Sequence, residues 1–503
     1  MKRFFGLIKK AIKKFFGFIA KIAKKLWKTI TNKWLLKWTT TLILVVLVIA
    51  GYVGINLAAE QIKVSDLDFT TKKLYTLSEE TKKRLKSLEN NITIELINMG
   101  DYTYTNEYTE KYERESDRVK VEKIEDLSSR VDLQTKYNIG TTDNLIVVKN
   151  GEKEKQITTS DLVTYDYSTG ETIDRTEEAI TNAIVEVTID QKPHIYVLSG
   201  KTYNQPEISL GIIANKLIDE ANEIDLLDIL IKGSVPEDCD CLIITTLKED
   251  LSDLERDKIL EYINNGGNIL VLSSKGTLDV ETPNFNKILE QYGITLGYGV
   301  ILEQDTSKML HETPNMIVSK ANASFLSDID MTLKLLLINP GKIQFADETK
   351  LEELGVTYET IASTSDKSFV RTKFDISSTS RTEQDSEESS SIVGALATKK
   401  ISDDKKSELI IYSDETFAST SQIIIGIKKV YAVSRYNNED IVLNSVSHLT
   451  ERTDTITIRK TDEAENYTVT EQEDVVIKTI IFVVPVIIIV IGGGVWVYRR
   501  RKI

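Results

Sequence analysis

Cysteine and histidine are scarce in this chain, which limits the chemistry that its side chains offer. The 503 residues include two cysteines and three histidines. Cys239 and Cys241 are separated by one residue, so a disulfide between them could not join distant segments. On a strand both side chains would face the same side, and we interpret them as small buried residues. The alternative, a metal site, needs more ligands, and His194 is far off in the sequence. The sequence therefore predicts no metal site and no cofactor.

Motifs for nucleophilic catalysis and for ATP hydrolysis are also absent from the sequence. There is no Gly-x-Ser-x-Gly elbow and no Walker A motif. A cysteine nucleophile would need a strand-to-helix elbow, whereas the two cysteines precede or begin an apolar strand. The three histidines, His194, His311 and His448, are interpreted as structural or surface residues. We therefore expect no catalytic residues and no enzymatic activity.

Charge is distributed unevenly along the chain. Residues 1–38 contain twelve Lys or Arg and no acid, and residues 475–503 contain five more bases and no acid. Because the whole chain has a net charge of −14, the part between these ends carries −31. Such an acidic body repels nucleic acid, so no nucleic-acid partner is expected.

Two long apolar runs bracket the acidic body. Residues 39–59 contain no charged side chain, and residues 475–498 contain only Lys478. Each run is long enough to cross a bilayer core of about 30 Å as a helix. A cleaved signal peptide is the alternative for 39–59, but the run is long for one and lacks a small-x-small cleavage site.

The basic ends predict the orientation of these spans. Residues 1–38 and the tail 499–503 are short and lie beside the spans, so the positive-inside rule places both in the cytoplasm. Residues 60–474 would then be extracytoplasmic, with 451–474 as an acidic, Thr-rich stalk.

Residues 4–30 repeat apolar side chains at helical spacing, opposite a face of lysines. This pattern predicts an amphipathic helix on the anionic lipid surface. An orientation signal and a docking helix for a cytoplasmic partner remain open as alternatives. The lysines expected at the membrane surface are Lys9, Lys10, Lys13, Lys14, Lys24 and Lys25.

Strands and helices alternate between residues 60 and 190, which predicts a first α/β domain. Thr76 and Glu79 have the spacing of a capping box, so a helix is expected to follow them through Leu88. The other predicted elements are strands at 92–97 and 119–124, helices at 107–116, 126–137 and 176–188, and a hairpin over 145–158.

Residues 191–450 predict a second, Rossmann-like α/β domain. Continuous apolar strands alternate with amphipathic helices, the pattern of a parallel sheet covered on both faces. The predicted strands are 194–200, 223–229, 241–246, 268–273 and 408–414, and the predicted helices are 208–221 and 252–265. A Ser/Thr/Glu-rich stretch at 374–391 has almost no apolar residues and predicts an exposed, mobile loop.

Four stretches resemble the GldG-like, gliding-motility-type auxiliary subunits of ABC-2 transport systems. The likeness covers roughly residues 60–503, and its arrangement is more specific than any one motif. The stretches are Asp68-Phe69-Thr70 with 74–81, Glu177–Ile184 leading into Lys192–Gly200, Gly266–Leu272, and Ser413–Ser419 with Asn444–Leu449.

The resemblance implies a fold and partners. It implies a class I glutamine-amidotransferase-like fold without that chemistry, and association with an ABC permease and a separate ABC ATPase. The chain departs from the family where Gly200-Lys201-Thr202-Tyr203 replaces the usual Gly-His-Gly-Glu, and the basic extension before residue 38 is unusual. These departures leave any shared ligand open.

Two places could bind a partner. The turn Ser199-Gly200-Lys201 follows the first strand of the predicted sheet, where such folds place ligands, although a plain strand-to-helix turn explains it too. In the second span, Pro485 and the glycines Gly492, Gly493 and Gly494 would allow close approach of a permease helix. A simple kinked anchor is the alternative there.

Together with the two predicted spans, the resemblance implies a non-enzymatic accessory subunit of an ABC-2-type exporter in the bacterial cytoplasmic membrane. Its exterior domains would bind or guide a substrate, whose nature is open, or an envelope partner. The alternatives are a stand-alone membrane-anchored binding or sensory protein and an anchored hydrolase whose site assembles only in three dimensions.

Overall fold

The computed structural model describes residues 76–166, 171–274, 280–326, 333–372, 380–425 and 428–452. The predicted basic helix, both predicted spans, the basic tail and all but the first two residues of the predicted stalk lie outside these ranges. Among the helices of the described ranges, none combines the length and the apolar character that crossing a membrane requires.

The described chain up to residue 190 folds around one four-stranded sheet. Its strands are β1 Ile92–Ile97, β2 Val119–Ile124, β3 Leu145–Asn150 and β4 Lys153–Thr158, with a separate hairpin of β5 Val163–Asp166 and β6 Glu171–Asp174. Its helices are α1 Glu79–Ser87, α2 Thr103–Glu115, α3 Val131–Tyr137 and α4 Thr176–Thr188. The sheet order is β2-β1-β3-β4, with β1 parallel to β2 and antiparallel to β3.

The start of α1 differs from the predicted capping box. The N-cap is Ser78, whose hydroxyl accepts a hydrogen bond from the Thr81 amide at 3.2 Å, so the expected role of Thr76 and Glu79 is wrong. The carboxylate that completes the cap comes from α4, because Glu177 Oε1 accepts from the Ser78 amide at 2.6 Å and from the Thr81 hydroxyl at 2.7 Å. A partner nearly one hundred residues away cannot be recognised from local spacing.

The larger part of the described chain contains sixteen strands and seven helices, listed here in order. The strands are β7 His194–Leu198, β8 Glu223–Leu227, β9 Cys241–Thr245, β10 Asn268–Leu272, β11 Ile294–Leu296, β12 Val300–Leu302, β13 Met309–Leu310, β14 Thr313–Lys320, β15 Lys334–Ile338, β16 Ile343–Phe345, β17 Val356–Ser363, β18 Phe369–Arg371, β19 Ile392–Ser402, β20 Lys405–Tyr412, β21 Gln422–Ile425 and β22 Lys428–Tyr431. The helices are α5 Pro206–Ser209, α6 Gly211–Asp219, α7 Ile229–Lys232, α8 Asp253–Asn264, α9 Pro283–Glu290, α10 Glu348–Leu354 and α11 Asn438–Leu449.

The main sheet has a parallel half and an antiparallel half. Its order is β11-β16-β19-β20-β10-β9-β7-β8, with β17 also paired to β19. The five strands from β20 to β8 run parallel, whereas β19 pairs antiparallel with β20, β17 and β16. Only Asp403 and Asp404 separate β19 from β20, and so short a connection can join only antiparallel strands. The antiparallel half is a departure from the expected run of parallel strands.

Helices cover both faces of the parallel half. On one face α6 and α11 share a core with the sheet through buried residues such as Leu217 and Val446. On the other face α8 and α9 do so through residues such as Ile259 and Phe285. The strands between them are buried on both sides, which explains why they are almost uniformly apolar.

The ends of α8 follow its local sequence. Ser252 and Glu255 form a capping box, in which the Ser252 hydroxyl accepts from the Glu255 amide and Glu255 accepts from the Ser252 amide. The helix stops at Gly266, whose φ of +86° suits glycine. A Cβ at Gly267 would lie 2.3 Å from the Tyr262 ring, so only glycine fits there. The predicted stop at this pair of glycines is confirmed.

The predicted helix 208–221 is divided into α5 and α6. Thr420, far along the chain, donates its amide to the Ser209 carbonyl at 2.7 Å and its hydroxyl to the Ile208 carbonyl at 2.9 Å. Leu210 then has φ −98° and ψ 10°, outside the usual helical region. A tertiary contact therefore interrupts a segment whose apolar spacing alone predicts one helix.

The described part of the predicted loop 374–391 is exposed, but hydrogen bonds hold it to the segment around β18. Most of residues 380–390 are exposed. Asp385 is an exception, because its carboxylate receives two hydrogen bonds from Arg371, from Nε at 3.0 Å and from Nη2 at 2.8 Å. Ser386 and Ser389 donate their amides to the carbonyls of Val370 and Ser368. Residues 380–390 thus follow the segment around β18 through a buried ion pair and backbone hydrogen bonds.

Candidate functional site

The predicted ligand turn lies at the carboxyl end of β7, beside β8. The Ser199 amide donates to the Leu227 carbonyl at 2.9 Å, which continues the pairing of the two strands. Gly200 has φ +87°, so the sharp departure from the strand favours glycine. Lys201 donates to the Asp250 carbonyl at 3.0 Å, and its ammonium lies 3.5 Å from Glu255 Oε2. The ammonium therefore holds the turn to the start of α8, and an anion bound at Lys201 stays a prediction.

Two buried acids tie the carboxyl ends of neighbouring strands together. Glu415 accepts hydrogen bonds from Asn204 Nδ2 at 2.9 Å and from the Thr246 amide at 3.0 Å, so it links the segments after β20, β7 and β9. Asp414 accepts from the Ile338 amide at 2.7 Å and from the Ser274 hydroxyl at 3.1 Å. Burial raises the pKa of Asp414 to about 6, although these hydrogen bonds oppose the shift. Both carboxylates therefore hold together the segments that follow the strands at this edge of the sheet.

The cysteines do not face the same side. Cys241 begins β9 and is packed in the core shared with α6 and α11, whereas Cys239 lies in the core shared with α8 and α9. The prediction of a common side is wrong because Cys239 precedes the strand and does not follow its alternation. Burial raises the pKa of the Cys239 thiol to about 12 and that of Cys241 well above its usual range. A buried thiol with a raised pKa is a poor nucleophile.

His194 lies at the amino end of β7 between two aspartates. Its Nε2 is 2.9 Å from Asp225 Oδ2 on β8, and its Nδ1 is 3.0 Å from Asp238 Oδ2 in the segment before β9. Burial disfavours the charged imidazole, yet the hydrogen bonds to both carboxylates outweigh it and raise the pKa of His194. The histidine therefore cross-links three neighbouring segments at the amino edge of the sheet.

The other two histidines do not share a site with it. His448 Nε2 lies 3.2 Å from Glu408 Oε2, and the ring stacks on Phe325. His311 lies in a turn with φ +50°. Across the residues that the structure describes, no group of three His, Cys, Asp or Glu side chains is arranged to hold a metal ion.

A cavity of about 1410 Å³ opens at the amino edge of the parallel strands, between the first domain and the main sheet. The first domain contributes the end of α1, the β3–β4 turn and the end of α4, and the main domain contributes the starts of β7 and β8 and the segment after α11. Both signs of charge line it, including Arg84, Lys153, Asp238, Asp240 and Arg452. A second cavity of about 560 Å³ shares Asp240, Thr450 and Glu451 with it.

This cleft is the candidate binding site among the described residues. Its polar lining and size suit a polar segment or solute rather than an apolar small molecule. Sequence reasoning missed the cleft because its walls come from two domains, and no local pattern reports how domains pack. The one sequence signal near the cleft is Pro193, which lies between α4 and β7 and marks the boundary between the domains.

A cluster of charged side chains also joins the two domains. Lys216 on α6 lies 2.9 Å from Glu178 on α4 and 3.6 Å from Glu439 on α11. Arg175, just before α4, pairs with Glu178 at 2.7 Å and with Asp219 at 3.3 Å. These contacts position α4 against the main domain.

The predicted permease contact and lipid contact fall outside the described residues. This applies to Pro485, Gly492, Gly493 and Gly494 in the second predicted span and to the surface lysines between Lys9 and Lys25.

Comparison with known proteins identifies two matching families. The model of a family described as an ABC-type uncharacterized transport system matches residues 192–445, half of the chain. A model described only as a domain of unknown function matches residues 71–164. No curated protein matches the chain.

Solved structures show only distant likeness. The mmIFT52 N-terminal domain is 15% identical over 51% of this chain and 97% of its own, with a TM-score of 0.37. A thua-like protein from Bacteroides uniformis is 8% identical over 52% of this chain and 93% of its own, with a TM-score of 0.31. At these TM-scores neither structure carries an argument about function.

Proposed function

The chain belongs to the family of ABC-type transport system auxiliary proteins, and from this we propose that it is a non-enzymatic membrane subunit that joins an ABC permease and a separate ABC ATPase. Its role is accessory to ABC transport. The finer assignment, a GldG-like subunit of an ABC-2-type exporter, is part of the proposal.

The family match over residues 192–445 is the observation that carries the proposal. The matched residues contain every strand of the main sheet and most of its covering helices, from β7 to within α11. The match therefore concerns the architecture of the larger domain and not one motif. Five parallel strands with helices on both faces support the proposed class I glutamine-amidotransferase-like, doubly wound fold.

The described side chains favour binding over catalysis. The thiols of Cys239 and Cys241 are buried, and their pKa values are raised, so neither has the exposed thiolate that an amidotransferase uses. The ammonium of Lys201 and the carboxylate of Glu415 are engaged within the fold. The mixed-charge cleft at the amino edge is the place where we propose that a substrate or an envelope partner is guided.

Two anchors complete the proposal. Residues 39–59 and 475–498 would span the bacterial cytoplasmic membrane, with both termini in the cytoplasm and residues 60–474 outside. Residues 1–38 would lie on the cytoplasmic lipid surface. Gly492, Gly493 and Gly494 would let a permease helix approach the second span closely, because small residues permit contact between helix backbones in lipid.

Co-purification tests the proposal, with a variant of the second span as the comparison. The substitutions Gly492→Leu, Gly493→Leu and Gly494→Leu together should lower the recovery of permease and ATPase about tenfold, since each added side chain separates packed helices. The proteins recovered with tagged full-length chain from native membranes would be quantified by mass spectrometry.

The matched control replaces three aliphatic residues of the same span, Ile487→Leu, Ile488→Leu and Ile489→Leu. We expect this control to retain wild-type recovery, because it changes the apolar surface little. Equal recovery of permease and ATPase with both variants would show that the three glycines do not contribute to the contact with the permease. Recovery of neither protein with the wild type would refute the subunit assignment.

A further inference from the structure

His194 joins three segments at the wall of the larger cavity. Its Nε2 lies 2.9 Å from Asp225 Oδ2 on β8, and its Nδ1 lies 3.0 Å from Asp238 Oδ2 in the segment before β9. His194 and Asp238 both line the cavity. The histidine ring therefore links the start of β7, the strand β8 and the segment before β9 at the proposed binding cleft.

The geometry of this cross-link requires a proton on each ring nitrogen. Both contacts are at hydrogen-bond distance, and an ionised carboxylate can only accept. A neutral imidazole has one N–H, so it can donate to only one of the two aspartates, and its other nitrogen would present a lone pair to a negatively charged oxygen. In either neutral tautomer one of the two links is lost. The cross-link between β8 and the segment before β9 is complete only with the imidazolium.

The groups packed against the ring favour its charged form. Asp240 accepts from the His194 amide at 2.8 Å, and Glu223 lies opposite His194 in the register of β7 and β8, so both add negative charge nearby. Tyr196 stacks on the ring with 4.2 Å between the centroids. Burial and the charge of Asp238 raise the pKa of Tyr196 to about 12, so the phenol is neutral at physiological pH.

Each lysine and arginine that lines the larger cavity has a partner of its own. Moving one of them to the two aspartates in place of the ring proton would break an existing contact, so the cross-link depends on the histidine. The partners are the Thr188 hydroxyl for Arg84, Asp190 for Lys153, Glu186 for Lys192 and the Glu220 carbonyl for Arg452.

The segment before β9 has few other attachments. Residues 234–238 are exposed or only partly buried. Within this fully described segment, Asp238 is the one residue whose side chain makes a hydrogen bond or ion pair, to His194 and to the Tyr196 hydroxyl at 3.3 Å. Residues 236–240 line both cavities of the cleft. A segment with so few contacts opens at a low free energy when one of them is removed.

We propose that His194 is a proton-dependent latch for the cleft. With the ring protonated, Asp225 and Asp238 are held on its two sides, and residues 234–238 are fixed as part of the wall of both cavities. When the ring loses a proton, one link breaks, residues 234–238 open, and the cleft changes shape. The consequence for binding rests on the proposed function, which places a substrate or an envelope partner in this cleft.

The latch should weaken as the pH rises. Burial disfavours the charged imidazole, yet the hydrogen bonds to both aspartates outweigh it and raise the pKa of His194 above its ordinary value of 6.5. The charged ring therefore stabilises the folded state fully below pH 6.5, and this stabilisation is lost as the pH rises through the raised value.

Hydrogen–deuterium exchange of the full-length protein in mild detergent, corrected for the intrinsic exchange rate at each pH, tests the proposal. The reporter is the amide of Cys239, which donates to the Pro236 carbonyl within the segment. Its protection should fall at least about tenfold between acidic and alkaline solution, because a charged hydrogen bond that holds the segment is lost. The amide of Ile243, on a strand paired on both sides, is the internal reference and should keep its protection.

The variant Asp225→Asn separates the latch from a general alkaline destabilisation. It keeps the ring but removes one carboxylate, so the pH at which the Cys239 amide loses protection should be lower than in the wild type. The variant His194→Gln should show low protection at every pH, since its side chain has no proton to lose. The matched control is His311→Asn, which removes an exposed histidine at a positive φ that asparagine tolerates, and it should retain the wild-type profile.

Protection of the Cys239 amide that is independent of pH in the wild type would overturn the proposal. A profile unchanged in Asp225→Asn would overturn it too, as would a parallel loss of protection at Ile243, which would indicate unfolding of the whole sheet. The Ile243 amide also shows whether each variant is folded. Because the measurement needs neither permease nor ATPase, the latch and the subunit assignment can fail separately.

Discussion

The substitution Asp385→Ala is expected to lower the free energy of unfolding by about 3–5 kcal/mol at pH 7, because it leaves a buried guanidinium without its carboxylate. The side chains of Arg371 and Asp385 are 6% and 3% exposed, and two hydrogen bonds join them. The Arg371 guanidinium lowers the pKa of Asp385 to about 2. The carboxylate is therefore charged at pH 7, and its contribution to stability is lost progressively as the pH falls from about 4 to about 2.

Urea unfolding of full-length protein in mild detergent, followed by far-ultraviolet circular dichroism, would measure this effect. Circular dichroism is chosen because all four tryptophans lie outside the described residues. The control is Glu387→Ala, which removes a neighbouring ion pair with Arg381, in which the Glu387 side chain is 91% exposed. The control should change the free energy of unfolding by about 0.5 kcal/mol or less. A loss of the same size in both variants would show that the buried pair does not hold residues 380–390.

The substitution Asp440→Asn should make the protein more stable than the wild type as the pH rises from about 4 to about 8. Asp440 is 3% exposed on α11, and burial, with the neighbouring charge of Glu439, raises its pKa to about 8. Between pH 4 and 8 the unfolded chain loses the Asp440 proton while the folded chain keeps it. The wild type therefore loses stability with rising pH through this group. The difference between variant and wild type should grow by up to about 1.4 kcal/mol per pH unit.

Asp440 lies close to the charged side chains that join the two domains. Charges from three helices face the region, namely Glu439 beside it, Lys216 on α6 and Glu178 on α4, with Arg175 just before α4. Ionisation of Asp440 would place another negative charge among these contacts between the domains. The side chain of Asn437 donates to Asp440 Oδ2 at 3.3 Å, a contact that an asparagine oxygen can still accept.

Unfolding curves measured at intervals from pH 4 to 8.5 would test the prediction. The comparison variant is Asp385→Asn, which we expect to lower the free energy of unfolding, whereas Asp440→Asn raises it. Since the pKa of Asp385 is lowered, that variant should be less stable than the wild type by a constant amount above pH 4, and the deficit should shrink only in more acidic solution. If the Asp440→Asn and wild-type curves stay parallel from pH 4.5 to 8, Asp440 does not retain its proton in the folded state.

Local sequence patterns predicted several elements well where the pattern was complete within the segment. The strand 92–97, the strand 119–124 and the helix 176–188 have the predicted bounds. In each case alternation or helical spacing of apolar residues decides the structure, and burial then reinforces it. The central strands of the main sheet were likewise found within two residues of their ends, because they are buried on both faces.

Features that depend on distant residues were not predicted. The helix α11 was not anticipated, since Asn438, Asp440, Asn444 and Ser445 give it a polar appearance. Asn438 is nevertheless fully buried, because its side chain accepts from the Leu336 amide and donates to the Leu336 and Ala432 carbonyls. Only the assembled fold supplies these partners.

The candidate sites show the same limit. The turn at Gly200 was placed correctly at the carboxyl end of β7, because its glycine and the strand before it are local signals. The engagement of Lys201 by the start of α8 depends on the packing of a helix about fifty residues later. The mixed-charge cleft depends on the docking of two domains, so its lining residues carry no shared sequence motif.

The most direct test of the central claim is the composition of the complex that wild-type protein forms in its native membrane. Tagged full-length chain would be isolated in several mild detergents, and every co-purifying protein would be quantified by mass spectrometry. The account predicts one permease and one ATPase species, recovered in the same fixed ratio to this chain in each detergent. Recovery of the chain alone in all of them would contradict the account and favour an independent membrane-anchored binding protein.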